Sequence, residues 1–331
     1  WATVTVLISR ATLSPADIEA ILQFCEARSF DIGYLPYIAP PNNRFHILQR
    51  PYYQEATLAL LGPERKAFLE GYLFDIKATT DNRPYFFHMF RWTSWPELRK
   101  QLRARSRAFT EVGYLMLLGA LGQTVILSVI FVILPLLIKI THLREVRRKA
   151  ITLCYFLLLG GAFMLLEMSF LQRFILYLAH PIFSAAVVIT AFLVFAGLGS
   201  LGSGRWRLHP GAIIAFAAGI VVCLGLLYAW GLRDWLALTQ STPLLCRVVI
   251  AGLTIAPLAF AMGHMLPTCM RVVAWNNAAL VPWGWAVNGF ASVAATITTP
   301  LLAMEGGFST VACLAAACYL LAGLLGWRIA H

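Results

Sequence analysis

The chain is short of charge. Only 12% of its 331 residues are Asp, Glu, Lys or Arg, about half of the ~25% usual in globular domains, whereas 60% are hydrophobic and the mean hydropathy is +0.73. So few charges cannot cover a chain of this length in water, which means that lipid must serve as solvent for much of it. Disorder, a collagen-like chain and a disulfide-stapled secreted domain are excluded with it. Paired cysteines are also missing. The seven cysteines form no CxxC pair, and all but Cys25 and Cys269 lie inside apolar runs, so they read as small packing residues. There is no GxGxxG, no P-loop lysine, and no acid about 20 residues after a glycine-rich turn, so a nucleotide or adenosyl group has no visible cradle. Despite a net charge of +11, no Lys/Arg run is interleaved with aromatics as a phosphate-tracking surface would need, and nucleic acid is not implied as a partner.

What charge there is lies unevenly. Residues 1–111 hold 11 of the 15 acids and 14 of the 26 bases. Residues 2–8 alternate at period two as a strand. Ser14 then stands as an N-cap with Pro15 at the first helical position and Asp17 in the first turn, predicting a helix to about Arg28. A second strand is expected over 30–37, before Pro40 and Pro41, and short helices over 52–61 and 64–72, parted by Gly62 and Pro63. Strand, helix, strand suggests part of an α/β layer. Two strands are too few for a self-sufficient sheet, and Trp1 opens directly onto a strand, so a preceding segment is expected.

From Val112 onward, seven apolar runs reach the length of about 20 residues needed to cross about 30 Å of hydrocarbon. They cover 112–138, 151–172, 182–201, 211–230, 244–266, 284–302 and 308–327, with breaks at 144–149, 179–181, 202–210, 233–243, 267–282 and 305–307. One crossing per run puts Lys139, Arg144, Arg147, Arg148, Lys149, Arg205, Arg207, Arg271 and Arg328 on one side, the cytoplasmic one by the positive-inside rule. The basic stretch Arg99–Arg107 would then lie on the other side, so orientation stays open. Small residues from Ala196 to Gly204 suit close helix packing.

Glu167 is the anomaly. A carboxylate deep in a span costs about 3 kcal/mol unless protonated or paired. Arg173, beside Gln172, is six residues on and poorly aligned with it within one helix. A functional polar site and a structural polar network are both open. Asn288, next to Gly289, also needs a partner. His180 and His264 sit near helix ends without a second ligand at i+3 or i+4, as caps do, and Pro257 and Pro267 predict a kinked or broken fifth span.

Five stretches carry a resemblance: TTDNRPYFFHMFRW from Thr79, LLLGGAFMLLEMSFLQRFILYLAHP from Leu157, AGLGSLGSGR from Ala196, GHMLP from Gly263 and WGWAVNGFASV from Trp283. In this order they resemble the C-terminal half of bacterial multipass membrane proteins of the spermidine-synthase-like family, over nearly the whole chain. The resemblance implies a fold: residues 1–95 as the C-terminal part of an α/β Rossmann-like domain, 96–111 as a basic linker and 112–331 as a seven-helix transmembrane domain, in the bacterial inner (plasma) membrane. It also implies aminopropyl or methyl transfer from S-adenosylmethionine or decarboxylated S-adenosylmethionine, bound by an upstream Rossmann half. No catalytic, cofactor-binding or metal-binding residue carries over to this chain. What does carry over is an intramembrane polar set: Glu167, Gln172, Arg173, His180 and Asn288. Two further readings stand beside the membrane-anchored transferase. One is a non-catalytic accessory subunit that packs a small-residue face such as Ala196–Gly204 against other membrane subunits, and the other is a transporter-like bundle for a polar or cationic solute.

Overall fold

A computed structural model of the chain describes residues 4–36, 45, 50–96, 112–138 and 148–331. Contacts divide it into two units: residues 1–77 with 89–106, and residues 78–88 with 107–331.

In the first unit, helix α1 (Pro15–Ala27) begins where the sequence predicts. The Ser14 hydroxyl oxygen accepts from the Asp17 amide at 3.2 Å, and the Asp17 carboxylate accepts from the Ser14 amide at 2.9 Å and its hydroxyl at 2.6 Å, closing a capping box. Those bonds favour the ionised carboxyl and hold Asp17 below the ordinary carboxylate range. Helices α2 (Tyr52–Leu61) and α3 (Arg65–Gly71) follow, and a Cβ at Gly62 between them would overlap the Leu58 carbonyl. Arg91 spreads its guanidinium over the carbonyls of Leu69, Glu70 and Tyr72 at 2.8–3.1 Å, placing a cation on the negative end of α3.

The expected strands are not there. Among the described residues no β-strand forms, and the β-bridge between Thr80 and Arg83 is isolated. Residues 4–8 make no ladder, with Val4, Val6, Leu7 and Ile8 between 64% and 92% exposed. Alternation makes a strand only when a neighbouring strand takes up its backbone bonds, and no described segment does so. Residues 97–111 of the expected basic linker lie outside the described residues.

The second unit is a helical bundle. Helix α4 (Val112–Ser128) runs through a π-helical turn (Val129–Ile133) into α5 (Leu134–Ile138). Helices α6 (Lys149–Leu178), α7 (Pro181–Gly202), α8 (Pro210–Thr239), α9 (Leu244–Asn277) and α10 (Val281–Ala330) follow. By length and apolarity, five helical stretches among the described residues could cross a membrane, Gly113–Val132, Lys149–Leu178, Pro181–Gly202, Pro210–Thr239 and Leu244–Ala330, in place of the seven separate runs expected. The difference lies in the breaks. Helix α8 passes through Arg233 and Asp234 to Thr239, and α9 passes Pro257 and Pro267, since neighbouring helices can supply the bonds a proline deletes. The expected break at 305–307 survives as one residue, Gly307 (φ +79°, ψ 168°), inside α10.

Contacts fix the direction of each half of α10. Asn288 donates to the Phe156 carbonyl at 3.1 Å and Ser292 to the Gly160 carbonyl at 3.2 Å, so the first half runs parallel to α6. Beyond Gly307, Ser309 meets Ala229, and Cβ atoms built at Gly225, Gly323 and Gly326 would meet Ala316, Ala218 and Ile214, so the second half runs antiparallel to α8. Small residues let these two helices approach closely. The same holds for α7 and α9, where a Cβ at Gly199 would overlap the Phe260 carbonyl and one at Gly263 the Ala196 carbonyl. The Gly199 side of the Ala196–Gly204 stretch is therefore filled within this chain. At the centre, α6 buries Tyr155, Phe156, Leu166, Phe170 and Phe174, with Phe170 stacked on Phe174 and set edge-on to Phe192 and Tyr228.

Candidate functional site at a broken helix

Gly307 leaves two helix ends face to face. The first half of α10 ends in carbonyls without amide partners, and the second half begins with free amides. Residues 80–83 close both. Thr80 and Arg83 exchange backbone hydrogen bonds at 3.4 and 2.8 Å, making a tight turn that presents Asp81, Asn82 and Arg83 in succession.

Between them the three reach both halves of α10 and α8. The Asn82 carbonyl accepts from the Phe308 amide at 2.9 Å, and its side-chain Oδ1 accepts from the Ser309 amide at 2.9 Å. Asn82 is thus an N-cap supplied from 227 residues away. Arg83 donates through Nε to the Met304 carbonyl, a cation on the negative end of the first half. Asp81 pairs with Arg233 of α8 at 3.3 Å, but both side chains are more than 60% exposed, so this pair contributes little.

Arg173 joins the cluster from α6. Its guanidinium donates to the Tyr228 carbonyl at 2.8 Å and to Asn82 Oδ1 and Ser309 Oγ at 3.4 Å, and it lies 5.8 Å from the centre of the Phe308 ring. The Ser309 hydroxyl gives its single proton to the Ala229 carbonyl at 2.6 Å. Among the described residues no carboxylate lies within ion-pair distance of Arg173; carbonyl oxygens and an aromatic face compensate its charge. Next to the turn, the buried His88 ring packs at a tilt on Tyr114 of α4, with ring centres 5.0 Å apart, and approaches Glu305 at 3.8 Å.

Tyr85 packs on Phe308 at 6.0 Å, with its hydroxyl buried and no hydrogen-bond partner among the described residues. Burial raises its phenol from 10.0 to about 12. Because the folded value is the higher one, the contribution is intact below pH 10 and is lost as pH rises from 10 to about 12. Tyr85→Phe is expected to equal or exceed the parent in thermal stability at pH 7, and to lose less stability than the parent over that alkaline window.

The expected intramembrane set does not form one site. Arg173 belongs to the clamp. Gln172, beside it, is only partly buried and joins none of these bonds. Asn288 lies against Phe156, about 25 Å along α6 from Arg173, its carbonyl accepting from Ser292. His180 is exposed and N-caps α7, with Nδ1 accepting from the Phe183 amide at 3.4 Å. Glu167 is buried, at 6% exposure, away from all of them. Residues not expected from sequence, Asn82, Arg83, Gly307 and Ser309, form the centre instead. The sequence signals were the run of polar residues in TTDNRP and the break at 305–307. His/Cys/Asp/Glu groups able to hold a metal ion are absent among the described residues. Compared with known proteins, the chain matches no family model, no curated protein and no solved structure.

Proposed function

We propose that this chain is the membrane-anchoring part of a spermidine-synthase-like transferase, and that its bundle grips residues 78–88 of the chain through the Asp81–Asn82–Arg83 turn. The observation that carries the reading is the clamp itself. Residues 78–88 interrupt the polar unit in sequence yet are built into the bundle, with hydrogen bonds to two ends of a broken helix. A chain that only needed a tether would have no use for them. The bundle makes seven passes in this reading. Leu244–Ala330 spans 87 residues, α10 alone is about 75 Å long at 1.5 Å per residue, and its halves run parallel to α6 and antiparallel to α8. Folding back at Gly307 reconciles that length with a bilayer about 30 Å thick, in the plasma membrane of a bacterium.

The transferase part of the proposal rests on the motif resemblance and is tested upstream. The reading frame before Trp1 is expected to encode a glycine-rich loop. Membranes containing the extended chain are expected to bind S-adenosylmethionine or its decarboxylated form, while membranes containing residues 1–331 alone do not. A start codon immediately before Trp1, or an extended chain that binds neither donor, overturns it.

A further inference from the structure

Glu167 takes no part in the clamp. It lies 11 residues before the end of α6, about 16 Å along the helix axis, and it is 6% exposed with no hydrogen bond or ion pair among the described residues. Its side chain leaves the helix on the face of Gly160 and Phe156, two and three turns earlier, where the first half of α10 packs at a register of 132 residues. Carried two turns further, that register puts Glu167 level with Thr299, which is fully buried and whose hydroxyl donates to its own Ala295 carbonyl. The next residue is Pro300, which has no amide, so the Thr296 carbonyl lacks its helical partner.

Helix α9 also passes α6 at this depth. It runs antiparallel to α6, since Tyr155 donates to the Met265 carbonyl and Arg247 to the Tyr177 carbonyl. Glu167 falls between these contacts, roughly level with the buried Ile255, while Leu253 and Pro257 lie on the exposed face of α9. No charge faces it. Helix α7 carries no ionisable side chain, α9 none between Arg247 and His264, and the first half of α10 none before Glu305. Helix α8 has only Cys223 and Tyr228 before Arg233, and the second half of α10 only Cys313, Cys318 and Tyr319 before Arg328. On α6 the nearest base, Arg173, is committed to Tyr228, Asn82 and Ser309.

We infer that Glu167 is a proton-binding site within the membrane domain, its carboxyl carried neutral and donating to the helix carbonyl that Pro300 leaves free. An ionised carboxylate here would stand alone in apolar surroundings, whereas a protonated one is a donor at the depth where an acceptor lacks its donor. This site is independent of the transferase reading.

The test uses the full chain in liposomes and a hydrophobic carbodiimide, which adds to a carboxylic acid and leaves an N-acylurea heavier by the mass of the reagent. Peptide mass spectrometry is expected to find Glu167 modified at neutral pH, less so as pH rises, and untouched by a water-soluble carbodiimide that modifies the half-exposed Glu305. Glu167→Gln is expected to match or exceed the parent in thermal stability. Absence of label on Glu167 at neutral pH in the folded parent overturns the inference, and so does a loss of stability in Glu167→Gln that Glu167→Asp does not share. Protection of Glu167 by sodium or potassium at fixed pH also overturns it, in favour of a metal-cation site.

Discussion

Gly307→Val is expected to lower the melting temperature of the detergent-solubilised chain further than any other glycine substitution in α10. Two costs combine. At φ +79° and ψ 168° the backbone lies in a region essentially confined to glycine, where a β-branched residue costs about 1–3 kcal/mol in strain. Any Cβ there would also overlap the side-chain amide and crowd the backbone carbonyl of Asn82, so the turn must withdraw and expose two helix ends. A total of about 4 kcal/mol corresponds to a fall on the order of 10 °C in a domain of this size. Gly289→Ala is the matched control on the same helix. A Cβ at Gly289 meets nothing within 4 Å, and alanine is the better helix former, so no loss is expected. Equal melting temperatures for Gly307→Val and the parent would mean that α10 is not broken at this residue.

Asn82→Ala is expected to destabilise by about 2–4 kcal/mol, the sum of a lost N-cap and a buried guanidinium deprived of an acceptor. Asn82→Asp separates this from simple loss of packing. It keeps an oxygen acceptor for the Ser309 amide and adds a negative charge beside a helix N-terminus and Arg173, so its stability should equal or exceed the parent's. Asn82→Ala and Arg173→Met should be less than additive when combined, because each removes the same hydrogen bond. Full additivity would show that the two side chains do not share the cluster.

The contrast between the polar and apolar parts explains how much of this was legible in sequence. Helix α1 was readable because its start chemistry is local: Ser14 and Asp17 satisfy one another within four residues, and Pro15 suits the first helical position. The membrane helices were readable because lipid demands long apolar runs. The strands were misread because alternation states what a segment could pair with and not whether a partner is present, and residues 4–8 have none among those described. The ends of α8 and α9 were misplaced for a related reason. Arg233–Asp234 and Pro267 are terminators in water, but at a bundle end or between packed helices they are tolerated. The clamp was half legible. Gly307 and Arg173 each announce an unmet need in sequence, an interrupted helix and an intramembrane charge, while the residue that meets both is a single asparagine more than 90 positions from either.

That asparagine allows the anchoring account to be tested without knowing any substrate. A site-specific protease sequence inserted within residues 97–106 of the membrane-embedded chain cuts the covalent path from the polar unit into α4. If the turn grips the bundle, the N-terminal fragment stays with the membrane after alkaline washing, and Asn82→Ala combined with Arg83→Ala releases it into the wash. Release of the fragment from the parent chain under the same conditions would contradict the account.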